Sequence, residues 1–148
     1  MIVIQVSALL LMPLVSCSAA AETKVFRFNC GGADVQIQGV YDPKSYGGFL
    51  KFDMRVSRGG QHVDLDLSYG YMHAACLKDA KGQQLVVFQQ YCDGSACHDL
   101  DNYGIVDPRR LKVLLKPNDT NHKAAARILG QRKAPYLFKH PETVCCEQ

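Results

Sequence analysis

Seven cysteines and five histidines are the side chains with most chemistry to offer in this chain of 148 residues. His73 and Cys76 are spaced like metal ligands, as are Cys92, Cys97 and His98, and a zinc site there would bind through thiolates. Nucleophilic use of a thiol or hydroxyl needs a base beside it and an acid to orient that base. Ser45, Ser57, Ser68 and Ser95 lack G-x-S-x-G surroundings. None of His62, His73, His98, His122 and His140 sits beside an evident nucleophile in the sequence. Asp99, Asp101 and Gly104 fall on positions 1, 3 and 6 of a calcium loop, but position 5 is Tyr103 and position 12 is Arg110, a cation where the bidentate glutamate belongs. Gly31-Gly32 and Gly47-Gly48 precede no helix, as a phosphate loop requires. The expectation is therefore no catalytic set, no metal and no cofactor.

The compartment decides what the cysteines are for. Ile2 to Val15 is almost wholly apolar and runs into Ser16-Cys17-Ser18-Ala19-Ala20-Ala21. That run is shorter than the roughly 20 residues that span a bilayer, and Ala19 and Ala21 form an A-x-A cleavage pattern. Residues 1–21 thus read as a signal peptide with cleavage before Glu22. Leu14-Val15-Ser16-Cys17 also resembles the bacterial lipobox, a resemblance that implies acylation of Cys17 and a lipid as the sole membrane attachment. Both routes leave Cys30, Cys76, Cys92, Cys97, Cys145 and Cys146, an even set suited to three disulfides in an oxidising compartment. Adjacent Cys145 and Cys146 are poorly placed to bond each other, and Cys92 and Cys97 bracket a turn-forming Asp93-Gly94-Ser95-Ala96. A local Cys92–Cys97 bridge then sends Cys30 and Cys76 to Cys145 and Cys146 in one order or the other. Those two bridges would close loops of about 70 to 115 residues, each worth roughly 4 to 5 kcal/mol in the chain-entropy account.

The elements that must position these groups are strands. The whole chain is 47% hydrophobic and 21% charged, a globular composition, and residues 22–148 read as one domain. Period-two alternation marks Leu50 to Ser57 and His62 to Tyr69 around Gly59-Gly60, a two-residue hairpin turn. Pairing Arg58 with Gln61 aligns Val56 with Val63, Met54 with Leu65, Phe52 with Leu67 and Leu50 with Tyr69, which predicts all eight apolar side chains on one face. Further pairs are expected at Val25–Cys30 with Val35–Tyr41, Tyr71–Leu77 with Leu85–Tyr91, and Tyr103–Val106 with Leu111–Leu115. About eight short strands in adjacent pairs predict a mainly β fold, an antiparallel meander forming a small sandwich or partly closed barrel. One helix follows, capped by Asp119 or Thr120, with Ala124, Ala125, Ile128 and Leu129 as its apolar stripe and Gly130 as its stop. Gln131 to Gln148 reads as an extended tail.

The same hairpin register places Asp53 opposite Asp66, an unfavourable pairing, and Arg55 opposite Asp64, a favourable one. Asp53, Asp64 and Asp66 form an acidic patch that either meets a cation or a basic partner or is neutralised by Lys51, Arg55 or a neighbouring strand. Charge is uneven along the chain. Residues 22–106 carry 8 basic and 10 acidic side chains, and residues 107–148 carry 9 and 4. No aromatic stacking motif interleaves the basic positions, so nucleic acid is not expected as a partner. The favoured function is an exported, non-catalytic binding protein, an inhibitor or immunity-type protein acting on another periplasmic or extracellular protein. Its binding residues are expected in two loops, Tyr41 and Tyr46 in one and Asp93, His98, Asp99, Asp101 and Tyr103 in the other. The alternatives are a cell-envelope hydrolase using His98 and Asp101, and a lipid-anchored envelope component whose basic half meets anionic lipid or wall polymer.

Overall fold

The computed structural model describes residues 21–42, 44, 49–67, 71–91, 102–118, 120–141 and 143–144. The strands are β1 (Glu22–Cys30), β2 (Ala33–Tyr41), β3 (Phe49–Arg58), β4 (Gln61–Leu67), β5 (Tyr71–Lys78), β6 (Gln84–Tyr91), β7 (Tyr103–Asp107) and β8 (Lys112–Leu115). The helix α1 spans His122–Leu129, and a 3-10 turn covers Leu137–Lys139. The strands form two antiparallel four-stranded sheets in chain order, β1-β2-β3-β4 and β5-β6-β7-β8, and the sheets do not close into a barrel. Type I′ two-residue hairpin turns need both central residues at positive φ, and Gly31-Gly32 (62° and 78°) and Gly59-Gly60 (56° and 79°) supply them. The β3–β4 register is the expected one from Arg58↔Gln61 to Phe52↔Leu67.

Leu50 departs from that alternation. It is the extra residue of a bulge, since Val40 pairs Lys51 and Tyr41 pairs Phe49. The bulge turns Phe49 inward and leaves Leu50 51% exposed.

The first core lies between the sheets, where Val35, Ile37, Phe52, Met54 and Val56 face Met72, Ala74, Val86, Phe88 and Val106. The second lies on the far side of β5–β8, where Ala75, Leu77, Leu85, Val87, Tyr103 and Ile105 meet Ala125, Ala126, Leu129, Ala134 and Leu137. The second sheet is therefore buried on both faces, which explains the unbroken apolar run Leu85 to Phe88 in β6. The first sheet is covered on one face only. In α1 the buried positions are Ala125, Ala126 and Leu129, so Ala126 replaces the expected Ala124 in the stripe. Gly130, at φ 64°, ends the helix in the left-handed conformation as expected.

The N-cap is Asn121 rather than Asp119 or Thr120, and its side chain is committed elsewhere. Asn121 Oδ1 accepts the Tyr103 N–H at 2.8 Å, and Nδ2 donates to the carbonyls of Tyr103 (2.6 Å) and Lys116 (2.8 Å). One amide thus completes the backbone bonding at the start of β7 and ties it to the start of α1. Asn121→Ala removes these bonds from two buried backbone groups of Tyr103 and the part-buried Lys116 carbonyl and is expected to cost about 2 kcal/mol in urea unfolding.

The disulfide pairing corrects the sequence expectation. Cys30 bonds Cys76 directly, with Cα atoms 5.3 Å apart across 46 residues, so neither goes to Cys145 or Cys146. Cys30 ends β1 on its inward face and Cys76 lies near the end of β5, so the bridge joins the two sheets. Cys92, Cys97, Cys145 and Cys146 lie outside the described residues, as do residues 1–20 with their signal-peptide and lipobox readings. The tail returns along β5 through mutual bonds between Ala74 and Val144. No helix among the described residues is long and apolar enough to cross a membrane.

Candidate functional site

Connectivity gives the sandwich two unlike ends. The turns at 31–32, 59–60, 79–83 and 108–111, together with the disulfide, occupy one end. Strands β2, β4 and β6 finish, and β3, β5 and β7 begin, at the other. Both loops expected to bind join strand ends there.

The open face of the first sheet carries the predicted charges. Asp53 stands opposite Asp66, and Lys51 Nζ lies between them, 3.1 Å from Asp53 and 3.5 Å from Asp66. Hydrogen bonding and attraction to Asp53, with help from Asp66, raise the Lys51 pKa above its ordinary value. Arg55 grips Asp64 with two bonds of 2.7 and 3.0 Å, and His62 Nε2 is 3.5 Å from the same carboxylate. The Arg55 bond, and then its charge, outweigh desolvation and hold Asp64 below the ordinary carboxylate range. Arg27 extends this row by donating to Gln36 Oε1 at 3.1 Å. The three carboxylates of the acidic patch are thus held by two cations, Lys51 shared between Asp53 and Asp66 and Arg55 on Asp64, and over them lies a shallow depression of about 330 Å³.

A depressed carboxylate contributes stability above its unfolded pKa and loses it as pH falls through the folded one. Arg55→Met should therefore be less stable than the wild type near neutral pH at low salt. The difference should vanish in acid once Asp64 is protonated, and shrink in high salt, because all these groups are exposed. Urea titrations at several pH values measure both trends.

At the end where the expected binding loops join the strands, Tyr41 is half-buried, edge-on to Phe49 with centroids 5.4 Å apart. Lys24 Nζ sits 4.0 Å over the Tyr41 ring. Gly39 makes room beside them, since a Cβ there would lie 2.7 Å from the Phe49 ring and 2.8 Å from Phe52. Tyr103 does not belong to this surface. It is wholly buried in the second core, and its hydroxyl donates to the Pro135 carbonyl at 2.9 Å. Its place at the start of a strand alternating into the helix-covered face makes it a packing residue, correcting the expectation of an interface anchor. Tyr46, Asp93, His98, Asp99 and Asp101 fall outside the described residues.

A cleft of about 890 Å³ opens beside this end, between β4 and β8. Asp64, Leu65, Asp66 and Leu67 line it from β4, Val113, Lys116 and Pro117 from β8 and beyond, and Gln90 from β6. Gln90 is 1% exposed and its Nε2 has no partner among the described residues. Asn102, whose carbonyl accepts the Gln90 N–H at 3.2 Å, is equally buried and its Oδ1 also lacks a partner. The neighbouring Gln89 points the other way and accepts the Leu137 N–H at 2.9 Å. These amides were missed in the sequence. The available signal is a glutamine pair near the end of an apolar strand, because a sheet covered on both faces buries both of them, one toward each side. Among the described residues no three His, Cys, Asp or Glu side chains converge on a common metal position. The chain matches no protein-family model, and no characterised protein and no solved structure matches it.

Proposed function

We propose that this is an exported, non-catalytic binding protein that engages another exported protein, as an inhibitor or immunity-type protein does. The observation that carries this reading is the contrast between the two ends. One is closed by tight turns and a disulfide; the other gathers Tyr41, Lys24 and a cleft floored by an unpartnered buried amide. A rigid, cross-linked sandwich presents such a surface in advance, which reduces the ordering cost of association. Recognition residues commonly sit on connections held by such a scaffold. The apolar segment and A-x-A pattern of residues 1–21 support export, and so does the Cys30–Cys76 bond, since disulfides persist in oxidising compartments.

The test is a pull-down with the oxidised mature protein from the extracellular or periplasmic fraction. One protein partner held in defined stoichiometry supports the reading. Turnover of a glycan or peptide with no partner held would overturn it in favour of the hydrolase. Intact-mass measurement of the exported protein separates a start at Glu22 from an acylated Cys17.

A further inference from the structure

We infer that the β4–β8 cleft seats an extended peptide segment of the partner with alternating apolar and polar side chains, a backbone carbonyl of that segment accepting a hydrogen bond from Gln90 Nε2. This rests on reading the protein as a binder of another protein. The cleft volume of about 890 Å³ is within the ordinary range for ligand sites, and its lining is mixed, with apolar residues alongside Asp64, Asp66, Lys116 and Gln90. Leu65, Leu67, Val113 and Pro117 give the apolar lining, and Gln90 supplies a donor from the buried side. A buried donor without an acceptor is unfavourable, so an occupant bringing an oxygen is favoured over one that is wholly apolar.

Three observations select a peptide. Among the described residues β4 and β8 are the terminal strands of their sheets, each with one side without a partner strand, and backbone groups on such edges accept an added strand. Gln90 Nε2 lacks an acceptor among the described residues, and a peptide brings backbone carbonyls to it while its own N–H groups meet the strand edge. The rim holds both signs of charge. Lys116 has no carboxylate partner among the described residues, and Asp64 and Asp66 would repel a free carboxylate despite their bonds to Arg55 and Lys51.

The experiment uses the oxidised full mature chain, labelled with nitrogen-15, and a positional library of acetylated, amidated pentapeptides alternating Val or Ile with Thr. The Gln90 side-chain amide signal is assigned by its loss in Gln90→Met. The expected result is a subset of peptides that shifts this signal and the Asp64 to Leu67 amides, and that binds Gln90→Met about tenfold more weakly. Free Gln90→Met should melt at or above the wild-type temperature, because it removes a buried unpaired amide. No shift at millimolar peptide, equal binding by Gln90→Met, or a sharp fall in its melting temperature would each overturn the inference. The two readings fail separately. A protein partner held equally well by the wild type, Gln90→Met and Leu65→Lys overturns the peptide seat alone, and peptide binding with no protein partner overturns the inhibitor-type reading alone.

Discussion

Replacing Cys30 and Cys76 together by alanine is expected to lower the stability of the protein by about 4 kcal/mol, the chain-entropy value for a loop of 46 residues. This bond matters more than its loop length suggests. It is the covalent link between the two sheets among the described residues, and it stands at the end where Gly31 and Pro108 also bring the sheets into contact. Typical domains are stable by only about 5 to 15 kcal/mol, so the reduced or alanine form should unfold at much lower urea and at a temperature tens of degrees lower. Urea unfolding of oxidised, reduced and double-alanine protein measures it. The double-alanine protein is expected far below the oxidised one, and the reduced protein no more stable than the double alanine. A loss below about 1 kcal/mol would show that packing alone holds the sheets together.

The second large effect falls on a glycine that no turn requires. Gly104 lies in β7 directly opposite Phe88 of β6, and the Phe88 ring lies over it so closely that a Cβ would fall well inside contact distance of three ring atoms. Phe88 is wholly buried between the sheets and has nowhere to retreat. Gly104→Ala is expected to cost about 3 kcal/mol or more, the upper part of the range for overpacking a core. The cause is testable by a double-mutant cycle. Phe88→Leu alone should destabilise by shrinking the core, but adding Gly104→Ala to it should cost much less than in the wild type. Additive costs would show that the glycine is needed for some reason other than the ring.

These two positions mark where the sequence could be read and where it could not. Strand pairing was legible wherever a turn fixed it, because Gly59-Gly60 and Gly31-Gly32 set the register and alternation then determined every face from Val56 back to Phe52. It ceased to be legible at Leu50, where a bulge takes one residue out of the count and reverses the faces beyond it. The disulfide was misread for a different reason. Elimination began from the shortest loop, whereas Cys30 and Cys76 are joined because two strands from different sheets bring them face to face, a relation that no spacing encodes. Tyr103 was read from its polar neighbours, Asp99 to Asn102, although it begins the apolar β7 run. The second core would have been visible in the unbroken run of β6, which signals burial on both faces. The charged rungs were legible in full, and so was Lys51 as one of the side chains able to relieve the Asp53–Asp66 pairing. Gln90 was not, since a buried amide near a strand end looks in sequence like an exposed one.

The most direct test of binding at one end of the sandwich is hydrogen exchange of the wild-type protein, free and in complex with the captured partner. The account predicts new protection in the Tyr41 to Phe49 region, in the second half of β4, and from Val113 to Pro117. Exchange at the Gly31-Gly32 and Gly59-Gly60 hairpins should stay unchanged. Protection confined to those hairpins, or spread over α1 with the β4–β8 cleft still open to exchange, would contradict it.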